Sequence, residues 1–149
     1  MKRIFCLWII FVGMLSASAQ QLTPMSRAAL DSLVYPPVMA GADSILKFQR
    51  YTAQIDTLSE LHPPVSLVYP FCNVSSDTVE ITHVRTLCGC TETNESARSI
   101  PPGAKDSITI RFIPLGKAGK IHQRAYVYTA LSTKPVACLE IVGHVIFNE

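Results

Sequence analysis

The sequence predicts an all-β domain, an antiparallel β-sandwich of about seven strands. After Ile45, apolar residues recur at every second position, which is the period of a strand with one buried face. Turn residues such as Pro101-Pro102-Gly103 separate these runs at short intervals. No long helical pattern follows Ile45, and many short strands without helices favour two packed sheets.

The first 19 residues have the three parts of a secretory signal peptide. Lys2 and Arg3 provide the charged start, residues 4–15 are apolar, and residues 16–19 are the small residues of a cleavage site. The apolar run is shorter than the roughly 20 residues of a membrane-spanning helix. We therefore expect cleavage, export and no membrane insertion of the mature chain. Cys6 precedes the apolar run, so lipid attachment at the cleavage site is not expected.

Residues 20–44 are predicted to be a leader, and residues 45–149 the folded domain. Ser26 can cap a short helix that extends to Val34. Tyr35-Pro36-Pro37 ends this helix, because proline has no amide donor and restrains the residue before it.

The strands of the domain are predicted from alternation and turn signals. Pro70 indicates an edge strand or a bulge, and the apolar phase slips near Thr82-His83, which predicts a second bulge. Leu139 and Phe147 are placed on the same inward side of the last strand. The predicted strands are 45–51 continued by 53–58, then 65–72, 79–84, 108–112, 121–128 and 136–147.

Charge excludes one class of partner. The chain has 13 basic and 11 acidic residues, and removal of Lys2 and Arg3 with the signal leaves equal numbers. A neutral chain lacks the clustered positive charge that binds nucleic acid or anionic lipid non-specifically. We expect another envelope protein as the partner, and no nucleic acid.

Cys88-Gly89-Cys90 is the feature that most invites a chemical role. Gly89 is expected to permit an unusual backbone angle between the two cysteines. Three interpretations remain open: a structural pair or disulfide, a redox pair, and a soft-metal site assisted by a histidine. The candidate histidines are His83, His122 and His144.

The other cysteines, Cys72 and Cys138, are predicted to lie on different sheets and to face away from the core, so a bridge between them is not expected. A nucleophile elbow, a phosphate-binding loop and a dinucleotide fingerprint are absent from the sequence. We therefore expect no enzymatic activity and no cofactor.

Each of the five aspartates is followed by Ser or Thr and then by an aliphatic residue. A turn aspartate before a β-branched strand start produces the same text. The pattern also resembles the acceptor of an O-glycosylation system of some Gram-negative bacteria. The candidate acceptors are Ser32, Ser44, Thr57, Thr78 and Ser107.

An ordered set of motifs resembles a known bacterial family, the one catalogued as domain of unknown function 1573. The matching segments are Phe71-Cys72-Asn73, Val79-x-Ile81-x-x-Val84, Cys88-Gly89-Cys90-Thr91, Ile100-Pro101-Pro102-Gly103, Ile108-x-Ile110-x-Phe112 and Leu139-x-Ile141-x-Gly143-x-Val145. Ile55-Asp56 stands where the family often has Phe-Gly.

This resemblance implies an immunoglobulin-like sandwich related to major-sperm-protein and pilus-chaperone domains. The function we expect is an exported, non-enzymatic interaction or scaffold module in the periplasm or outside a Gram-negative-type bacterium. Its candidate surfaces are the segments 91–102 and 131–135. The alternative function is thiol redox or soft-metal binding by Cys88 and Cys90.

Overall fold

The computed structural model of the chain describes residues 25–93 and 97–147. The predicted signal peptide lies outside these residues. Their regular elements are α1 (Arg27–Val34), a 3-10 turn (Ala42–Ser44), β1 (Leu46–Phe48), β2 (Thr52–Ser59), β3 (Val65–Asn73), β4 (Val79–Thr86), β5 (Thr91–Thr93), β6 (Arg98–Ile100), β7 (Lys105–Phe112), β8 (Gly119–Thr129) and β9 (Ala137–Ile146).

The strands form two sheets that face each other. The four-stranded sheet has the order β1-β3-β7-β5, and the five-stranded sheet has the order β2-β9-β8-β4-β6. The described residues thus hold nine strands where we expected about seven. The additional strands are only three residues long, so an alternating pattern cannot reveal them.

One pair of strands corrects the prediction of a fully antiparallel sandwich. β2 pairs with β9 in parallel, from Thr52 opposite Glu140 to Ser59 opposite Ile146. The reason is that the chain changes sheets between β1 and β2. The Gln49 amide donates to Pro70 in the four-stranded sheet at 2.9 Å, whereas the carbonyl of Tyr51 accepts from the Glu140 amide in the five-stranded sheet at 2.7 Å.

The core lies between the sheets. Ile108, Ile110 and Phe112 are fully buried, as the alternation of β7 predicts. The Tyr69 hydroxyl reaches from the four-stranded sheet to the carbonyl of Glu140 in the other sheet, at 2.8 Å. Burial raises the pKa of Tyr69 to about 12, so this donor stays protonated. Phe147, expected on the inward side, is 60% exposed because β9 ends at Ile146.

Two irregularities in the strands were predicted. A register shift between Ile81 and His83 confirms the bulge near Thr82. Of the two alternatives expected at Pro70, the bulge is wrong, because Pro70 lies opposite Ser107 without a register shift. The edge position is confirmed locally: β3 lies between β1 and β7, but β1 pairs only with residues 71–73. β1 ends at Phe48, opposite Phe71, so Pro70 lies just beyond the region where β1 pairs with β3.

The leader contains the predicted helix. The Ser26 hydroxyl caps α1 by accepting from the Ala29 amide at 3.2 Å. The other end is held by Arg85, whose Nη2 donates to the carbonyls of Leu33 and Val34 at 3.3 and 3.1 Å. No residue of α1 is buried. None of the helices in the described part of the chain has the length and apolarity to span a membrane.

Candidate functional site

Cys88 and Cys90 lie in the bend where the chain leaves one sheet for the other. β4 ends at Thr86 in the five-stranded sheet, and β5 begins at Thr91 in the four-stranded sheet. The two cysteines form a disulfide with their Cα atoms 5.2 Å apart. Cys90 is buried, whereas Cys88 is partly exposed. The bridge therefore closes the bend by which the chain crosses the sandwich.

Backbone hydrogen bonds hold the same bend. The carbonyl of Cys88 accepts from the amide of Thr91 at 3.1 Å and from its hydroxyl at 3.0 Å. The carbonyl of Cys90 accepts from the Ile113 amide at 2.8 Å. The Cys90 amide lies 3.1 Å from Cys88 Sγ, where it could stabilise a thiolate if the bridge opened.

The role expected for Gly89 is wrong. Its φ is not positive, unlike that of Gly103 in the Pro-Pro-Gly turn, which is 73°. A Cβ added at Gly89 would meet no atom within 4 Å. The bend is formed without a left-handed residue, so an alanine fits the backbone at this position.

The soft-metal interpretation of Cys88 and Cys90 lacks a ligand cluster in the described part of the chain. Both sulfurs are in the bridge, and the described residues include no group of three or more His, Cys, Asp or Glu side chains that could hold an ion. His83 instead stacks on Tyr128 with ring centroids 4.6 Å apart, and His122 pairs with Glu140 at 3.0 Å. His144 is exposed on β9.

The other two cysteines that the structure describes, Cys72 and Cys138, are free and lie in different sheets. Cys72 Sγ lies 3.6 Å from the carbonyl oxygens of Asn73 and Gly103. Cys138 lines a cavity of about 260 Å³ beneath the leader, together with Met39 and other leader residues. Burial, with the nearby charge of Glu140, raises the pKa of the Cys138 thiol.

The outer face of the five-stranded sheet carries a cluster that the sequence analysis did not identify. Glu140 Oε1 accepts from His122 Nε2 and from Arg124 Nε, both at 3.0 Å. The guanidinium of Arg124 also lies over the ring of Tyr35, 5.3 Å from its centroid. Burial alone would raise the pKa of Glu140, but hydrogen bonds from His122 and Arg124 lower it overall.

This cluster had a signal in the sequence. Even-numbered residues of β8 share the outer face, and among them Lys120, His122 and Arg124 are basic. β9 supplies Glu140 opposite Arg124. The acid comes from a strand whose register is set by tertiary pairing, so the sequence did not reveal the partnership.

The five candidate glycosylation acceptors are widely separated in the fold. Ser32 is in α1, Ser44 ends the 3-10 turn, Thr57 is in β2 and Thr78 precedes β4; all four are exposed. Ser107 is half-buried in β7, where its carbonyl accepts from Arg98 Nη2 at 2.8 Å.

Comparison with known proteins gives the family. A family model described as "Protein of unknown function (DUF1573)" matches residues 46–145. This chain belongs to the DUF1573 family. The match begins at the first residue of β1 and ends one residue before the end of β9, so it covers the whole sandwich. No curated protein matches the sequence significantly.

Solved structures similar to this DUF1573 chain share its fold at low identity. A protein of unknown function from Porphyromonas gingivalis W83 has a TM-score of 0.54 and 11% identity over 67% of this chain. The chain spans 46% of that protein's length. The PapD-like domain 7 of human CEP192 has a TM-score of 0.55 and 12% identity, with 76% and 93% of the two chains covered. These likenesses show an immunoglobulin-like sandwich.

Proposed function

We propose that this DUF1573 chain is an exported, non-enzymatic interaction module that binds another protein of the cell envelope. The fold is compatible with this function, and the signal-like start of the sequence supports export. The observation that carries the proposal is the apolar surface of the leader.

The leader presents apolar side chains to solvent on the surface of the domain. Leu30, Leu33 and Val34 of α1 are 49%, 59% and 46% exposed, and Tyr35 is 51% exposed. A helix of eight residues has little stability of its own, and α1 buries none of its residues against the domain. We call these four side chains the apolar ridge. Exposed contiguous apolar surface marks interaction sites, so a partner that covers the ridge would stabilise the helix.

The two segments expected to bind partners are not simple surface loops in the structure. The segment 91–102 contains two short strands, β5 and β6, with residues 94–96 outside the described part. In segment 131–135, Leu131 is 56% exposed, but Pro135 is buried and its carbonyl accepts from the Met39 amide of the leader. This second loop thus anchors the leader that carries the apolar ridge.

The proposal is tested by chemical cross-linking in intact envelopes followed by affinity capture. The double variant Leu30→Ser/Leu33→Ser removes two apolar side chains from the ridge. We expect it to lose the captured partner and to keep the thermal midpoint of the wild type, because neither side chain is buried.

The matched control is Leu61→Ser/Leu115→Ser, which removes two leucines that are each 65% exposed elsewhere on the domain. It should capture the partner as the wild type does. Equal loss in both double variants would indicate a non-specific effect of lowered apolarity. If wild-type protein captures no envelope protein, the proposed function is wrong.

Thiol redox chemistry is the second candidate function, favoured by the disulfide and by the Cys90 amide beside Cys88 Sγ. It predicts that the pair cycles between bridged and free forms in a glutathione buffer. Thiol counting on denatured mature protein should give two free thiols without reductant, from Cys72 and Cys138, and four after reduction. A pair that stays bridged across physiological glutathione potentials would exclude this function.

We also propose O-glycosylation at the exposed acceptors Ser32, Ser44, Thr57 and Thr78, with Ser107 less accessible. Intact-mass measurement of protein secreted by its own host tests this modification. Replacement of each acceptor with alanine should remove one glycan mass. A mass equal to that of the bare mature polypeptide would rule it out.

A further inference from the structure

β8 has eleven residues, of which nine are paired with β9 on one side but only five are paired with β4 on the other. β9 covers β8 from Gly119 to Val127, without a register shift. β4 covers only residues 125–129, because it ends at Thr86, opposite Ala125. Among the described residues, no strand lies against residues 119–124 on the side away from β9. We call these six residues the free edge.

Three hydrogen bonds establish which backbone groups point out of the free edge. The Val127 carbonyl accepts from Val136, next to β9, and the Ala130 amide donates to Glu80, next to β4. The Glu140 amide of β9 points away from β8 and donates to the carbonyl of Tyr51, the residue before β2. Since successive residues of a strand alternate sides, odd-numbered residues of β8 bond to β9 and even-numbered ones face the free edge.

The amides and carbonyls of Lys120, His122 and Arg124 therefore point outward from the free edge. The space beside them is open: a cavity of about 320 Å³ is lined by Tyr35, Leu87, His122, Gln123 and Arg124. Leu87 is 37% exposed where the ladder of β4 would have continued. Within residues 25–93 and 97–147, no strand pairs with these outward donors and acceptors, and such a row is suited to an added strand.

The other sheet edges are less suited to strand addition. β1, β5 and β6 are only three residues long. β2 has eight residues, but its pairing with β9 shifts register between Gln54 and Thr57. An irregular edge opposes pairing with another chain. In the described part of the chain, β3 is also uncovered on the β1 side over residues 65–70, but Pro70 has no amide donor and Arg50 already donates to the Val68 carbonyl. The free edge of β8 has neither obstacle.

Charge determines what kind of strand fits. Lys120, His122 and Arg124 also project their side chains on the outer face, and Glu140 is the acidic group paired with His122 and Arg124. Pairing two copies of this edge would bring basic residues together, which is unfavourable between neighbouring strands. A foreign strand with carboxylates at alternate positions would instead place opposite charges side by side.

We infer that residues 119–124 bind an extended acidic segment of a partner protein as an added strand of the five-stranded sheet. The inference rests on the proposed interaction function and adds to the apolar surface of the leader a second contact surface, next to Tyr35, with the partner's chemistry. The added strand would continue the ladder of β4 beyond Thr86, and its outer-face carboxylates would face Lys120 and Arg124.

The test uses a blocked peptide of alternating threonine and glutamate, long enough to span the free edge. Amide hydrogen exchange is followed by NMR with and without the peptide. Exchange should slow at Lys120, His122 and Arg124 and stay unchanged at Ile121 and Gln123, which already bond to β9. A peptide that binds without this alternation would contact side chains only, and the inference would be wrong.

Variants separate the contributions of backbone and charge. His122→Pro removes one outward amide without removing a bond to β9, and we expect binding at least about fivefold weaker. Lys120→Glu should weaken binding of the glutamate peptide, whereas the control Lys105→Glu, on the other sheet, should not. Equal binding of an alternating threonine–lysine peptide would overturn the acidic preference.

The same variants distinguish this inference from the proposed function. If wild-type protein captures an envelope partner and His122→Pro and Lys120→Glu capture it equally well, the partner binds elsewhere and the free edge is not its site. If the wild type captures nothing, the proposed function itself fails, whatever the peptide does.

Discussion

Asn73 connects turns that are distant in sequence through one fully buried side chain. Its Nδ2 donates to the carbonyls of Asp77 and Ile100, both at 2.8 Å. Its Oδ1 accepts from the amide and the hydroxyl of Ser75 at 3.0 and 2.7 Å. All the hydrogen-bonding capacity of the amide group is therefore used to fix the β3–β4 turn against the end of β6.

We expect Asn73→Ala to lower the free energy of unfolding by about 3 kcal/mol, because buried carbonyls lose their donors. Asn73→Asp should cost at least as much, since a carboxylate oxygen would face the same two carbonyls. Urea denaturation measures both. Ser76→Ala in the same turn is the control and should change little, because that hydroxyl is exposed. A cost of Asn73→Ala below about 1 kcal/mol would contradict this role.

Gly143 has a different constraint, which is space. A Cβ at this position would lie 2.2 Å from Ile55 Cγ1 and 2.8 Å from the Ile55 carbonyl oxygen. Gly143→Ala should therefore destabilise the domain by about 1–3 kcal/mol, measured by chemical denaturation. Gly89→Ala is the matched control and should be close to neutral, because nothing lies near its Cβ. Equal effects at the two glycines would refute the packing argument.

At the scale of elements, the bend between β4 and β5 combines a disulfide with backbone hydrogen bonds. Closing so short a loop restricts the unfolded chain only slightly. We expect Cys88→Ser/Cys90→Ser to lower stability by about 1–2 kcal/mol and to leave partner capture intact. Calorimetry of the variant and of reduced wild type should show the same loss. Capture lost without any loss of stability would favour the redox function instead.

Elements could be predicted where burial imposes a period. Ile108, Ile110 and Phe112 revealed β7, and Ser26 followed by Tyr35-Pro36-Pro37 bounded α1. β1 lies within the predicted strand 45–51, but β5 and β6 could not be found, because three residues hold no period. Pro70 indicated an edge or a bulge, and the choice between them depends on where the neighbouring strand ends, which is decided by tertiary pairing.

The candidate site was foreseeable only in part. Cys88 and Cys90 were identified from their spacing, but their place at the crossing between sheets follows from topology. The free edge of β8 depends on where β4 leaves the sheet, which the sequence does not show. The ion pairs of Glu140 require the register of β9 against β8. Functional groups close together in the sequence could be predicted, whereas contacts between residues of different strands could not.

At the scale of the whole molecule, Glu140 links acidity to the stability of the fold. Hydrogen bonds from His122 and Arg124 lower its pKa below the ordinary value of 4.5. A carboxyl group with a lowered pKa in the folded state stabilises that state above the unfolded pKa, and this contribution disappears as the pH falls through the folded pKa. Denaturation midpoints between neutral pH and about pH 3 should therefore fall more steeply for wild type than for Glu140→Gln.

Glu92→Gln is the control for this pH dependence. Glu92 pairs with Arg111 at 3.1 Å, but both side chains are 51% exposed, so solvent screens the pair. The denaturation midpoint of Glu92→Gln should fall with decreasing pH as steeply as that of the wild type. If the midpoints of wild type and Glu140→Gln fall equally steeply with decreasing pH, the cluster on the outer face contributes nothing to acid sensitivity.

The parallel pairing of β2 and β9 has a mechanical consequence. Tension on the segments that precede β2 and follow β9 would draw these strands in opposite directions along their common axis. The hydrogen bonds between them, over six pairs of residues from Thr52 to Ser59, would then be loaded in shear together instead of opening one after another. The resistance of the domain to stretching would therefore depend on the rate at which the β2–β9 pairing ruptures under load.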